Sequence, residues 1–225
     1  MPGWKRATDL AMVSAALLFL GPIMLLAAIL IKLNSPGPVC YVAPRMGRRG
    51  LPFGQLKFRT MHVGSDRQGA FTAQQDRRVF AVGRWLRLFK VDELPQIFNI
   101  LRGEMSVVGP RPEDVATVEE CYTPAQRKVL EVVPGLTGLV QVRFFPELSI
   151  IDPGGMDPQE HYKRVILPIR LEMDLEYIAR RSFWLDAGVI AQTIFLIVVK
   201  APALALGMAP RKMHLHELSR GNFQA

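Results

Sequence analysis

The chain is short of the residues from which many binding and catalytic sites are built. Its two cysteines, Cys40 and Cys121, form no disulfide framework in 225 residues, which excludes a stapled secreted fold, favours a reducing cytosol and lets both read as small buried hydrophobes. Neither they nor the four histidines, His62, His161, His214 and His216, have the spacing of a zinc site. No P-loop and no GxGxxG fingerprint occurs, so the common glycine-rich nucleotide cradles are absent. Aromatics make up 8% of the chain and are sparse among its basic residues, which argues against a stacking platform for single-stranded nucleic acid. Carboxylates, guanidiniums and lysines remain, and these are parts for phosphoryl chemistry.

What the chain does have is apolar content and positive charge. Leu10 to Ile31 is 22 residues without a charge, roughly 33 Å as one straight helix and long enough to cross a bilayer. Gly21-Pro22 interrupts it at the centre and leaves arms of about 16 and 14 Å, each too short to cross. Lys5 and Arg6 precede the run, and Lys32, Arg45, Arg48 and Arg49 follow it, so the positive-inside rule puts both ends in the cytoplasm. A re-entrant helical hairpin broken at Gly21 and Pro22 satisfies both observations; a straight span is the rival. A cleaved leader is disfavoured because Lys32-Leu33-Asn34, not a run of small residues, ends the segment. The net charge of +8 suits anionic headgroups or phosphorylated substrates.

Past the turn cluster Asn34-Ser35-Pro36-Gly37-Pro38, Val39 to Val42 and Pro52 to Phe58 read as strands of a β-hairpin. The basic tip from Arg45 to Gly50 suits either a phosphate or an anionic lipid surface. Residues 62–76 read as a mobile loop, with the next helix beginning at Asp76-Arg77-Arg78. Glu113 to Val132 reads as one or two amphipathic helices, interrupted at Thr123-Pro124, which is a good N-cap followed by proline. Pro134 to Leu139 is a tight turn, structural or offering backbone donors to a ligand. Arg164 to Arg181 has a mixed-charge helical face. Ala187 to Val199 suits an interfacial helix with Phe183 and Trp184 at headgroup depth, or a buried core helix.

The centre of the chain is the stretch from Arg84 to Pro112. Proline is favoured in the first turn of a helix, so a helix starts near Pro95, ends at Gly103, and puts Asp92 and Glu93 at its N-terminus. Backbone N–H groups there favour carboxylates and phosphate, although a bare acidic pair also serves as a cap. Val91, Leu94, Ile97, Phe98 and Leu101 anchor the junction. Arg111, between Pro110 and Pro112, is presented on a stiff extended segment suited to a bidentate phosphate contact; a surface turn is the plainer reading. Arg87, five residues before Asp92, brings a second guanidinium near the same place.

The motifs DELPQ at 92–96, GEMS at 103–106 and VGPRP at 108–112 resemble the signature of the monotopic phosphoglycosyl transferases, the bacterial sugar transferase family. KFRTM at 57–61, DRRVFAVGRWLR at 76–87, VPGLTGLVQV at 133–142 and DLEYIARRSFWLD at 174–186 resemble further blocks in family order. The resemblance implies transfer of a sugar-1-phosphate from a UDP-sugar to polyprenyl (undecaprenyl) phosphate, with release of UMP, as the first membrane step of polysaccharide or exopolysaccharide assembly. It implies Asp92 as the nucleophile of an aspartyl-phosphosugar intermediate and Glu93 as base or metal ligand. Lys57, Arg87 and Arg111 are then the phosphate-binding residues, and Mg2+ is held by Asp92 and Glu93. The partners implied are the UDP-sugar, the polyprenyl phosphate and the bilayer at the cytoplasmic face of the bacterial inner membrane, with no nucleic acid and with room for a homodimer.

The fold expected is α-rich α+β. A re-entrant membrane hairpin (1–34) precedes a cytosolic catalytic domain with a small β-hairpin and interfacial amphipathic helices (35–200), and a C-terminal tail follows (201–225). The chain departs from the family pattern at Gly21, where serine is common, at Lys90, and after Val142, where a Gly-Arg element is missing and Arg143 is the candidate substitute. A membrane-anchored module binding anionic lipid or nucleic acid, and a hydrolase using the same phosphoenzyme, are the alternatives.

Overall fold

A computed structural model describes residues 1–65, 77–143, 157–200 and 202. The readings made for residues 66–76, for the segment that replaces the Gly-Arg element, and for the C-terminal tail lie outside the described residues.

The amphipathic logic of the chain begins with one helix, α1, Gly3–Asn34. Its buried residues Lys5, Asp9, Val13, Met24, Ala27 and Ile31, with Leu17 and Leu20 between them, recur every three or four positions and form one stripe. That stripe lies against the rest of the protein along the whole helix. Val13 packs on Ile97, Ile100 and Met105, while Met24, Ala27 and Ile31 pack on Phe58, Phe80 and Leu86. Each such side chain, fully buried, contributes about 1.5–3 kcal/mol.

One reading of this segment needs correction. The chain stays helical through Gly21 and Pro22, so the two separate arms expected there are one helix, and Leu20 and Met24 keep the proline turn packed against the protein. Packing on both sides of Pro22 offsets the lost backbone bond, which costs about 3 kcal/mol. The flanking cations Lys5 and Arg6 turn inward. Lys5 pairs with buried Asp186, which also accepts from the Tyr177 hydroxyl at 2.8 Å. Arg6 donates to the carbonyls of Ile100 and Leu101 at 2.5 and 2.8 Å, closing the C-terminal end of a later helix.

The β-hairpin is present. Strands β1 (Cys40–Met46) and β2 (Pro52–Phe58) pair antiparallel, with Tyr41 opposite Lys57, around a 3-10 turn at Arg48–Gly50. Cys40 is exposed and Cys121 half-buried, against the expectation that both are core residues; Cys40 lies at the open end of the hairpin, opposite Phe58. Helix α2 spans Ala81–Leu88, starting later than Asp76-Arg77-Arg78 suggested, because Met61 and Val79 form a β-bridge that keeps the chain extended up to Phe80.

Helix α3 is Gln96–Arg102, with Pro95 as its N-cap residue and Gly103 closing it at φ 83°, as Pro95 and Gly103 predict. Strand β3 (Ser106–Val108) follows and pairs in parallel with β4 (Gly135–Thr137). Between them lie α4 (Val115–Cys121), capped by Asp114 through Thr117 N at 2.9 Å, and a 3-10 turn at Gln126–Glu131, so the stretch after Glu113 is two pieces broken at Thr123-Pro124. Then come α5 (Leu139–Arg143), α6 (Pro158–His161) with a π turn at Tyr162–Ile166, α7 (Leu167–Arg180) and α8 (Phe183–Phe195). Among the described residues the fold is thus helix-rich with two small two-stranded sheets. Helix α8 divides its apolar side chains: Val189 joins a core with Val108, Val140, Met173 and Tyr177, while Trp184, Ile194 and Phe195 are exposed.

The β3–β4 junction leaves no room for a Cβ at Gly109 or Gly135. A Cβ on Gly135 would lie 2.1 Å from Gly109 N, whereas one on Gly21 would meet nothing within 4 Å. Gly135→Ala should destabilise the protein by roughly 1–3 kcal/mol and lower its thermal midpoint by several degrees. Gly21→Ala should leave the midpoint unchanged or raise it, since alanine favours a helix interior by about 1 kcal/mol. Thermal unfolding of the two variants in the same detergent checks both outcomes.

Candidate active site

Asp92 and Glu93 occupy a single 3-10 turn, Val91–Glu93, immediately before α3. Lys90 opens the turn in the left-handed region at φ 57°, and Val91 and Leu94 pack into the cluster of Phe58, Phe80 and Leu86. With these apolar neighbours on either side of the pair serving as anchors, the two acids are held above the core. Phe98, expected to help anchor the junction, is exposed instead.

Three other elements bring cations to the turn. Lys57 of β2 and Lys90 place their Nζ atoms each 3.8 Å from Glu93 Oε1, and Arg111 Nη2 is 3.5 Å from the same oxygen. Arg87 of α2 donates from Nε to Thr60 Oγ1 at 2.8 Å, and its charge acts on Asp92. All five residues singled out in sequence therefore meet in one place, and Lys90 faces the acids too. Gly21 and Pro22 lie apart, within α1.

The two carboxylates differ in state. Burial would raise Glu93, but Arg111, Lys57 and Lys90 outweigh it and hold the group well below the usual carboxylate range. Burial, followed by repulsion from Glu93, pushes Asp92 up to about 6 against the pull of Lys57, Lys90 and Arg87. Burial brings Lys57 down to about 8, opposed by Glu93 and assisted by Arg111. Glu93 is thus a fixed anion among cations, whereas Asp92 Oδ1 is buried with no hydrogen-bond partner.

Arg111 is placed by a parallel ladder as well as by its prolines. Ser106 N donates to Pro134 O at 2.8 Å, Gly109 N to Thr137 O at 2.9 Å, and Gly135 N to Pro110 O at 2.8 Å. The glycine turn is structural in this respect: it zips the segment carrying Arg111 to β4. Beyond Arg111, buried Glu113 accepts from Tyr162 and, at 3.0 Å, from Arg170 Nη1, while its own carbonyl accepts from Met46 N at 2.8 Å. Arg143 pairs with Glu176 at 3.4 Å.

Asn99 was not legible as a site residue. It is fully buried and acts as a short third strand along β2: Oδ1 accepts from Leu56 N at 2.9 Å, and Nδ2 donates to Gly54 O at 2.8 Å and to Glu104 Oε2 at 2.7 Å. Gln55 Nε2 donates to Gln96 Oε1 at 2.9 Å beside it. These bonds set the position of Lys57 relative to the turn that carries the acids. The available signal was one asparagine inside the otherwise apolar run IFNIL, a buried polar group that must be satisfied.

A divalent cation fits the donor set, although the described residues contain no cluster of three or more metal-binding side chains. Magnesium uses few protein carboxylates and completes its shell with substrate oxygens and water, and Asp92 Oδ1 is a buried oxygen without a partner. Asp92, with Glu93 beside it, would hold the ion.

The geometry defines a class: a helix-rich domain on an apolar N-terminal helix, carrying one half-buried carboxylate pair ringed by cations. A family model described as "Bacterial sugar transferase" matches residues 2–200, and the chain belongs to that family. It is 42% identical over 197 residues to a UDP-glucose:undecaprenyl-phosphate glucose-1-phosphate transferase of Caulobacter vibrioides, covering 84% of this chain and 68% of that protein. A transferase of the same name from Escherichia coli is 38% identical over 194 residues, covering 85% of this chain and 39% of the relative. A UDP-N-acetylgalactosamine-undecaprenyl-phosphate N-acetylgalactosaminephosphotransferase of Aeromonas hydrophila is 36% identical over 197 residues, covering 86% and 43%. The chain therefore spans about two thirds of the first relative and about two fifths of the other two.

Asn99→Leu removes partners from the buried Leu56 N–H and Gly54 carbonyl and should cost roughly 2–5 kcal/mol, each orphaned group costing about 1–3. A thermal midpoint within one degree of wild type would show that the amide does not hold the strand.

Proposed function

We propose that the protein transfers a sugar-1-phosphate from a UDP-sugar to polyprenyl phosphate in two steps through Asp92. The observation that carries this reading is the asymmetry of the pair: Glu93 is held by Lys57, Lys90 and Arg111, while Asp92 Oδ1 is buried and unpartnered. The substrate class comes from the relatives, which are named for UDP-glucose or UDP-N-acetylgalactosamine as donor and undecaprenyl phosphate as acceptor. Because those names differ in the sugar, the donor's sugar stays unassigned.

In the first step an Asp92 carboxylate oxygen attacks the sugar-bearing phosphorus and the bond to the bridging oxygen breaks. UMP leaves with that electron pair. An aspartyl phosphate is an established kind of covalent intermediate. In the second step an oxygen of the polyprenyl phosphate attacks the same phosphorus, the bond to Asp92 breaks, and the carboxylate is restored. Lys57, Arg87 and Arg111 stabilise the charge that develops on the phosphoryl oxygens, and their excess over the two acids favours an anionic diphosphate. Glu93 keeps those cations in place. A bound magnesium ion, held by Asp92 with Glu93 beside it, would supply positive charge to offset the negative charge developing on the departing UMP.

Membrane association at the cytoplasmic face belongs to the same proposal. Helix α1 is long and apolar enough to cross a bilayer by length and composition, yet its two ends both attach to one body, through Lys5, Arg6 and Asp9 at one end and Ile31 and Ser35 at the other. Its outer face, with Leu18 and Phe19 each 75% exposed, enters the lipid without separating the ends.

The test is UMP release from a panel of UDP-sugars with magnesium, with and without undecaprenyl phosphate. Lipid-dependent release, lowered by roughly three or more orders of magnitude in Asp92→Asn, is expected. Release of UMP and free sugar phosphate without lipid would sink the transferase reading in favour of hydrolysis. Arg111→Ala should lower turnover about a hundredfold. Because Asp92 must be ionised to attack and sits near 6, kcat/KM should rise with pH through about 6. It should fall again near 8 as Lys57 loses its proton. A flat profile between pH 5 and 7 would contradict the assignment of Asp92.

A further inference from the structure

The basic hairpin tip is not used by the chemistry above, and it borders a second site. A cavity of about 280 Å³ lies away from the acidic pair, lined by Lys5, Arg48, Arg181 and Glu131 over an apolar wall that includes Val133 and Ile178. Lys5 is neutralised by Asp186, so the positive excess comes from the guanidiniums. Arg48 is fixed at the rim by donating from Nε to Glu131 O at 3.1 Å, and Arg181 makes no ion pair among the described residues. Arg49, held at φ 61° on the same turn as Arg48, adds a third guanidinium. Converging like charges repel, and an anion at this point relieves the repulsion.

The surroundings say which anion. Trp4 precedes Lys5, and Phe183 and Trp184 follow Arg181 after one serine. The three rings form one edge-to-face cluster, with Trp4 and Phe183 centroids 6.2 Å apart and Phe183 and Trp184 5.3 Å apart. Trp184 is 80% exposed, and Trp4 lies on the same helical stripe as exposed Leu18 and Leu25. Exposed tryptophans at the end of an apolar face sit at headgroup depth in a bilayer. The cavity, one residue from this cluster on the first segment and two on the second, opens at that depth.

We propose that this cavity seats the phosphodiester headgroup of an anionic membrane phospholipid, at a site separate from the one that binds the polyprenyl acceptor. The proposal rests on the membrane association argued above and adds a lipid preference to it.

The test titrates the full-length protein in neutral detergent with short-chain phosphatidylglycerol, phosphatidylcholine or inorganic phosphate, reading tryptophan fluorescence. Wild type should bind the anionic lipid saturably and about 25-fold more tightly than the zwitterionic one, two arginines at an anionic surface each giving roughly fivefold. Arg48→Gln with Arg181→Gln should remove the preference, while Arg164→Gln with Arg180→Gln, an equal charge change on exposed helix faces, should keep it. Equal binding of both lipids, or equal loss in both double variants, would overturn the site in favour of diffuse charge. Competition by inorganic phosphate at the same concentration would overturn the lipid assignment. Flotation of wild type with phosphatidylcholine vesicles tests the membrane reading separately, and its failure would remove the basis of both.

Discussion

Glu93 is the point at which separate parts of the chain are tied together by charge. Lys57 arrives from a hairpin, Lys90 from the turn itself, and Arg111 from a strand end, and each approaches the same carboxylate oxygen. Three cations cannot converge in a partly buried place without an anion between them, because their mutual repulsion and desolvation have no other compensation. A single carboxylate satisfies them and leaves its neighbour without a partner. The division of labour between adjacent acids follows from this arrangement: one is saturated, the other buried and unpartnered.

Holding those cations requires scaffolding that is mostly backbone. The amide of Asn99 stands in for a third strand beside β2, and the glycines at 109 and 135 let two short parallel segments approach closely enough to fix Arg111. Thr60 receives Arg87, and the main chain of Thr60 lies so near Gly83 that a Cβ there would come within 2.3 Å of its carbonyl oxygen. Small residues and one buried amide thus define where large charged side chains point. The long helix α1 closes the arrangement from the other side, supplying Val13 under α3 and Asp9 to Ser106 and Val107 at the start of β3.

The outer surface follows a separate rule. Helix α1 divides its apolar side chains between a stripe against the domain and an exposed face, and α8 does the same on a smaller scale. Both ends of α1 are attached to the domain by buried polar contacts, so its exposed face lies beside the active-site body and not remote from it.

The local elements were legible because local rules decide them: proline and glycine bracketed α3, alternation and a glycine-bearing tip marked the hairpin, and Thr123-Pro124 marked a break between short helical pieces. The ordered motifs pointed to Lys57, Arg87, Asp92, Glu93 and Arg111, since a motif records which residue types a chemistry needs. The sequence alone did not show that Lys5 and Arg6 turn inward to Asp186 and to the carbonyls ending α3, that α1 stays helical through Pro22, or that Asn99 carries the edge of β2. Those outcomes depend on partners about 40 to 180 residues away, and on whether packing outweighs a local proline or a charge, which only the folded chain decides.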